Sequence, residues 1–172
     1  DVRDYLFNTI SEIVRSADID YIKWDFNRYL TEVGSTMLPV ERQQETSHRF
    51  ILGTYELLER IIGEFPHLLI EGCAGGGGRF DAGMLYYTPQ IWTSDNTDAL
   101  DRCRIQYGTS VVYPLSSISS HVSICPNHQT KLTVPFQTRG NVAMTGSFGY
   151  ELDICSLNNE EFIMPPLVKT IF

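Results

Sequence analysis

Apolar positions along the chain follow two rhythms. Val2, Leu6, Ile10, Ile13 and Ala17 recur every three or four residues, which predicts a helix. Ile19 to Phe26 then reads as a short strand, with Tyr21, Lys23 and Asp25 on one face because successive strand side chains alternate. From Glu41 to Phe65 the helical rhythm returns. Ile51, Tyr55, Leu58 and Ile62 form one stripe, Phe50, Leu57, Ile61 and Phe65 widen it, and Pro66 ends it. His67 to Glu71 is short and apolar, as a buried parallel strand is, and runs into the glycines 75–78. Gln90 to Ser94, Ile118 to Ile124 and Phe148 to Ile154 read as three further strands. Thr97 and Asp98 precede a helix whose predicted core stripe is Leu100, Cys103, Tyr107 and Val111, and a helical or irregular stretch holds Arg139 to Met144.

Strands alternating with helices imply an α/β fold with a parallel sheet. Two architectures fit: an open doubly wound sheet and part of an eight-stranded β/α barrel. Asp25, Cys73, Asp95, His121 and Asp153 all fall at the ends of strands. A barrel gathers such ends around one pit, whereas an open sheet strings them along a line. That distribution favours the barrel.

Composition narrows the chemistry. The chain has 172 residues, 42% of them hydrophobic and 20% charged, as in an ordinary soluble domain. A net charge of −8 disfavours a nucleic-acid partner, which calls for clustered Lys and Arg. No apolar run reaches the ~18 residues of a membrane span. Cys73, Cys103, Cys125 and Cys155 form no C-x-x-C pair, so a zinc site is not expected. Free thiols and the absence of an N-x-S/T sequon fit a reducing, cytoplasmic location.

Two carboxylates carry candidate chemistry. Asp25 lies in Lys23-Trp24-Asp25-Phe26-Asn27 and Asp95 in Trp92-Thr93-Ser94-Asp95-Asn96, each after an apolar strand. Cleavage of a glycosidic bond uses two such groups, one attacking the anomeric carbon and one protonating the leaving oxygen. Asp at a strand end equally serves as a turn or N-cap residue. The run Gly75 to Gly78 admits a ligand close to the backbone or makes a plain turn; with no G-K-[ST] after it, it is not a nucleotide loop. Arg79 with Asp81 reads as a local ion pair, Cys73 as a small buried residue, and His121 as a structural or ligand-contacting residue. Asp153 reads as a helix cap in preference to a supporting acid.

Together these motifs resemble glycoside hydrolase family 36, the α-galactosidases or melibiases. Lys23 to Asn27 resembles the family's K-W-D-x-N nucleophile motif, and Glu71 to Asp81 its E-x-C-x-x-G-G-G-R-F-D segment. Trp92 to Ala99 resembles its W-T-S-D-x-x-D-A acid/base motif, Ser120 to Thr130 its seventh-strand region, and Phe148 to Asp153 its eighth.

The resemblance implies a partial TIM barrel, strands four to eight of a (β/α)₈ fold, over residues 1–157, followed by a divergent or truncated tail at 158–172. It implies a retaining α-galactosidase acting on melibiose and raffinose-type oligosaccharides. Asp25 is then the nucleophile and Asp95 the acid/base, and Lys23, Asn27, Cys73, Gly76 and Trp92 bind the sugar. It implies no metal and no organic cofactor, and a homo-oligomer for the full-length enzyme. Two alternatives stay open: a galactosyltransferase of the raffinose-synthase type, and a catalytically inactive fragment.

Overall fold

A computed structural model describes residues 1–27, 31 and 33–157. The tail expected at 158–172 lies outside the described residues. The chain divides into two compact units, Asp1–Ile91 and Trp92–Phe172.

The first unit opens with helix α1, Val2–Ser16, started by a capping box. The Asp1 carboxylate accepts from the Arg3 amide, and Asp4 reaches back to the N-cap backbone. Strand β1, Tyr21–Asp25, follows. A 3₁₀ turn at Val40–Glu45 leads into α2, Thr46–Glu64. Strand β2, Leu69–Cys73, pairs parallel with β1 in the register Tyr21–Leu69, Lys23–Glu71 and Asp25–Cys73. Helix α3, Ala82–Tyr87, is capped by Asp81, which accepts from the Met84 amide at 2.9 Å. Strand β3, Gln90–Trp92, pairs parallel with β2 through Glu71–Gln90 and Gly72–Ile91.

The core of this unit joins Val14 of α1 to Leu57, Leu58 and Ile61 of α2, Ile70 of β2 and Ile91 of β3. Leu58 and Ile61 are wholly buried, each worth about 1.5–3 kcal/mol of apolar transfer. The α2 stripe matches the apolar pattern in the sequence, except that Phe50 is exposed. On α1 the pattern misleads: Val2, Leu6 and Ile13 are exposed, and the face that packs is Phe7, Ile10, Ser11 and Val14.

The second unit contains α4, Ala99–Ser110, then β4, Ile118–Ser123, α5, Phe136–Ala143, and β5, Ser147–Glu151. Strand β4 pairs parallel with β5 from Ser119–Ser147 to Ser123–Glu151. Strands within each unit lie in chain order, β1-β2-β3 and β4-β5. The five strands and their parallel pairing agree with the α/β alternation read from the sequence.

Helix α4 reverses the expected orientation. Leu100, Tyr107 and Val111 are exposed, as is Cys103, and the buried face carries Ala99, Arg102 and Gln106. Polar groups of β4 and α5 explain the reversal. Gln106 Oε1 accepts from Ser120 Oγ at 2.8 Å, and Gln106 Nε2 donates to the Val142 carbonyl at 3.2 Å. A buried polar face survives only when its partners are met, and here they are.

Among the described residues no helix is long and apolar enough to cross a membrane.

Candidate functional site

In the first unit, β1 delivers Asp25 as its last residue. Pleating puts Lys23 on the same face, and both are exposed. Asp25 pairs in register with Cys73, the last residue of β2. The chain then turns sharply. Gly75 and Gly76 have φ of 57° and 74°, a left-handed backbone that residues with a Cβ adopt only under strain. The Gly75 amide donates to Asn27 Oδ1 at 2.6 Å, which fastens the exit of β1 to the turn. Arg79 reinforces that junction, donating to the Phe26 carbonyl at 2.6 Å and lying 3.9 Å over the Phe26 ring.

Cys73 is 3% exposed. Burial pushes its thiol up to about 11, and the Asp25 carboxylate adds to the rise. A hydrogen bond from the Gly76 backbone and the Lys23 ammonium pull the other way. The thiol is therefore neutral at neutral pH, as a small packed group is and as an attacking thiolate is not.

This has a measurable consequence. A thiol reagent at pH 8 labels exposed Cys103 and Cys155 and leaves Cys73 unmodified until the protein unfolds. The folded pKa lies above the ordinary 9.0, so the protonated thiol stabilises the fold fully below pH 9, and that contribution is lost as pH rises towards about 11. Rapid labelling of Cys73 in the native state would contradict this.

Behind the strand ends, Glu71 is 1% exposed and takes hydrogen bonds from the Tyr21 hydroxyl and, at 3.5 Å, from Gln90 Nε2. The strand ends of this unit thus present a carboxylate and an ammonium, beside a buried neutral thiol and a glycine turn. Such a set suits a neutral, hydroxyl-rich ligand, because it offers donors and acceptors together.

In the second unit, Trp92 closes β3 and is 2% exposed. Its ring stacks on His121 at 4.7 Å, and the Arg102 guanidinium lies 4.4 Å from its centroid. Trp92 is therefore packed beneath the strand end. His121 also approaches Glu151, with Nδ1 3.4 Å from Oε2.

The segment after Trp92 is tightly held on both sides of Asp95. Ser94 Oγ accepts from the Asn96 amide at 3.1 Å, and Asn96 Oδ1 accepts from the Asp98 amide at 3.0 Å. Asp98, 1% exposed, caps α4 by accepting from the Leu100 and Asp101 amides, and its other oxygen accepts from Thr130 Oγ1 at 2.7 Å. The Thr97 amide donates to Gln129, its carbonyl accepts from Ser123, and its hydroxyl accepts from Asn127. Within this framework the Asp95 side chain is exposed.

Asp153 accepts from the Cys155 amide at 2.9 Å at the start of a short 3₁₀ turn, the capping role expected of it. Among the described residues no cluster of three or more His, Cys, Asp or Glu could hold a metal ion.

Sequence reasoning missed Arg102, Gln106, Asn127 and Thr130 as supports. Asn127 and Thr130 lay inside a quoted motif, but no periodicity marks a residue whose task is to satisfy a loop backbone.

Comparison with known proteins sets these two strand-end sites in context. The melibiase family model matches residues 1–169. Alpha-galactosidase AgaA of Geobacillus stearothermophilus is 59% identical over 161 residues, 94% of this chain and 22% of the relative. Alpha-galactosidase C of Emericella nidulans is 48% identical over 170 residues, 98% of this chain and 22% of the relative. The crystal structure of a variant of AgaA in complex with raffinose superposes with a TM-score of 0.90 at 58% identity, covering 93% of this chain and 22% of that one. The chain thus spans about a fifth of the length of the relatives it matches. Because the family model covers nearly every residue, this chain belongs to the melibiase family.

Proposed function

We propose that the chain carries the catalytic strand ends of a retaining α-galactosidase acting on melibiose and raffinose-type oligosaccharides. The observation that carries this reading is the placing of Asp25. It stands exposed as the last residue of β1, beside Lys23 and in register with Cys73, in a chain matched by the melibiase family over residues 1–169. The raffinose bound to the AgaA variant supports the substrate class. In this reading the five parallel strands correspond to strands four to eight of a (β/α)₈ barrel. A homo-oligomeric, cytoplasmic enzyme belongs to the same proposal.

The chemistry is a double displacement. The Asp25 carboxylate attacks the anomeric carbon while Asp95 gives its proton to the departing oxygen. Asp95 then takes a proton from water as the water displaces Asp25, which returns galactose with the α configuration. Lys23, Cys73 and Gly76 contact galactose hydroxyls, Asn27 holds the glycine turn that shapes their surface, and Trp92 supports the Asp95 strand end. No metal or organic cofactor enters the sequence of steps.

The test is an assay of the longest polypeptide that carries this chain, with a nitrophenyl α-galactoside and with raffinose. The expected result is hydrolysis of both, with α-galactose as the first-formed anomer. β-Galactose as first product, or silence from a folded sample, contradicts the proposal. Transfer of galactose to added sugar in preference to water reassigns the site as a transferase.

A further inference from the structure

Arg102 is 3% exposed, on the buried face of α4. Its guanidinium makes three directed bonds. Nε donates to Gln106 Oε1 at 2.8 Å, Nη1 to the Ser94 carbonyl at 3.1 Å and Nη2 to the Ser119 carbonyl at 2.6 Å. Its plane lies against Trp92 at 4.4 Å. Burial pulls the group down to about 10, with the Glu151 charge opposing. A cation this deep is costly to keep, and removing it leaves the Ser94 and Ser119 carbonyls without their donors, so its task is to hold those two carbonyls.

The bonded atoms identify that task. Ser94 O belongs to the peptide that enters Asp95. Downstream, Thr97 and Asp98 are pinned by Gln129, Asn127 and Thr130. Upstream, Arg102 both bonds the Ser94 carbonyl and lies over the Trp92 ring. Without it the Ser94–Asp95 peptide can rotate, and that rotation swings the Asp95 Cα and the carboxyl beyond it. A misplacement of about 1 Å is enough to cost on the order of 10²-fold in a proton-transfer step.

We propose that Arg102 is a positioning residue for the acid/base, fixing through the Ser94 carbonyl the backbone from which the Asp95 carboxyl projects. The proposal rests on the assignment of Asp95 above.

The experiment compares two substrates in the longest polypeptide that carries the chain. Raffinose needs its leaving oxygen protonated, whereas a dinitrophenyl α-galactoside loses an anion that leaves unaided. Arg102→Met keeps the packing volume, and Arg102→Lys keeps a cation that cannot bond both carbonyls as the planar fork does. For Arg102→Met, kcat/KM is expected to fall about 10- to 100-fold on raffinose and less than about 3-fold on the dinitrophenyl substrate, with Arg102→Lys between it and the parent. An equal fall on both substrates, or none on raffinose, overturns the proposal. If Arg102→Met does not fold, the ratio of the two substrates in Arg102→Lys decides in the same way. Asp95→Ala, assayed in parallel, separates the two ideas. If it too lacks the leaving-group dependence, the acid/base assignment fails; if it shows the dependence and the Arg102 variants do not, only the positioning role fails.

Discussion

Replacing Asp25 with alanine is expected to lower kcat/KM on every α-galactoside by at least ~10⁴-fold, because the covalent route that supplies most of the acceleration is gone. The loss is the same for good and poor leaving groups, since attack by Asp25 is part of the step in which either departs. Stability changes by no more than about 0.5 kcal/mol, because the side chain is exposed at a strand end and fills no part of the core. Azide, small enough to occupy the vacated space, restores turnover of a dinitrophenyl galactoside and yields the β-galactosyl azide, by a single displacement. The measurement is steady-state kinetics with and without azide, together with the product's anomeric configuration. Turnover above about 1% of the parent without azide contradicts the assignment.

Asp95→Ala is expected to behave differently. On raffinose kcat/KM falls about 10²- to 10⁴-fold, the usual contribution of a positioned acid. On the dinitrophenyl substrate it falls little, because that phenolate departs unprotonated. Release of galactose becomes slow for want of a base, so the covalent intermediate accumulates and KM drops with kcat. Azide here gives the α-galactosyl azide, the opposite anomer from that of Asp25→Ala. The two variants form a pair whose stereochemical outcomes cannot be produced by general structural damage. A matching fall on both substrates for Asp95→Ala removes it from the acid/base role.

The contrast between α2 and α4 shows what was legible in the sequence. On α2 the buried residues are Leu57, Leu58 and Ile61, so hydrophobic periodicity reports the packed face directly. On α4 the same reasoning selects Leu100, Tyr107 and Val111, which are exposed. The helix instead buries Arg102 and Gln106 against carbonyls and hydroxyls of its own unit, and those partners are distant in the sequence. Apolar rhythm reveals a core made of hydrocarbon and is blind to one made of satisfied hydrogen bonds.

The site divides in the same way. The placing of Asp25 and Cys73 at the ends of strands, and of Asp95 shortly after one, was readable from the apolar runs before them. The bond from the Gly75 amide to Asn27, and the hold of Thr130 on Asp98, join segments 48 and 32 residues apart. Nothing local announces them. Helix α3 went unread because Ala82 to Tyr87 is too short for a period to register, although Asp81 ahead of it is an ordinary N-cap.

The most direct measurement is to trap the intermediate. A fluorinated α-galactosyl donor with a good leaving group slows both displacements but release more than attack, leaving the sugar on the enzyme. Peptide mass spectrometry of the trapped protein is expected to find one fluorogalactosyl unit esterified to Asp25. An active sample that carries the label on another residue, or that turns over the donor with inversion and never labels, contradicts the account.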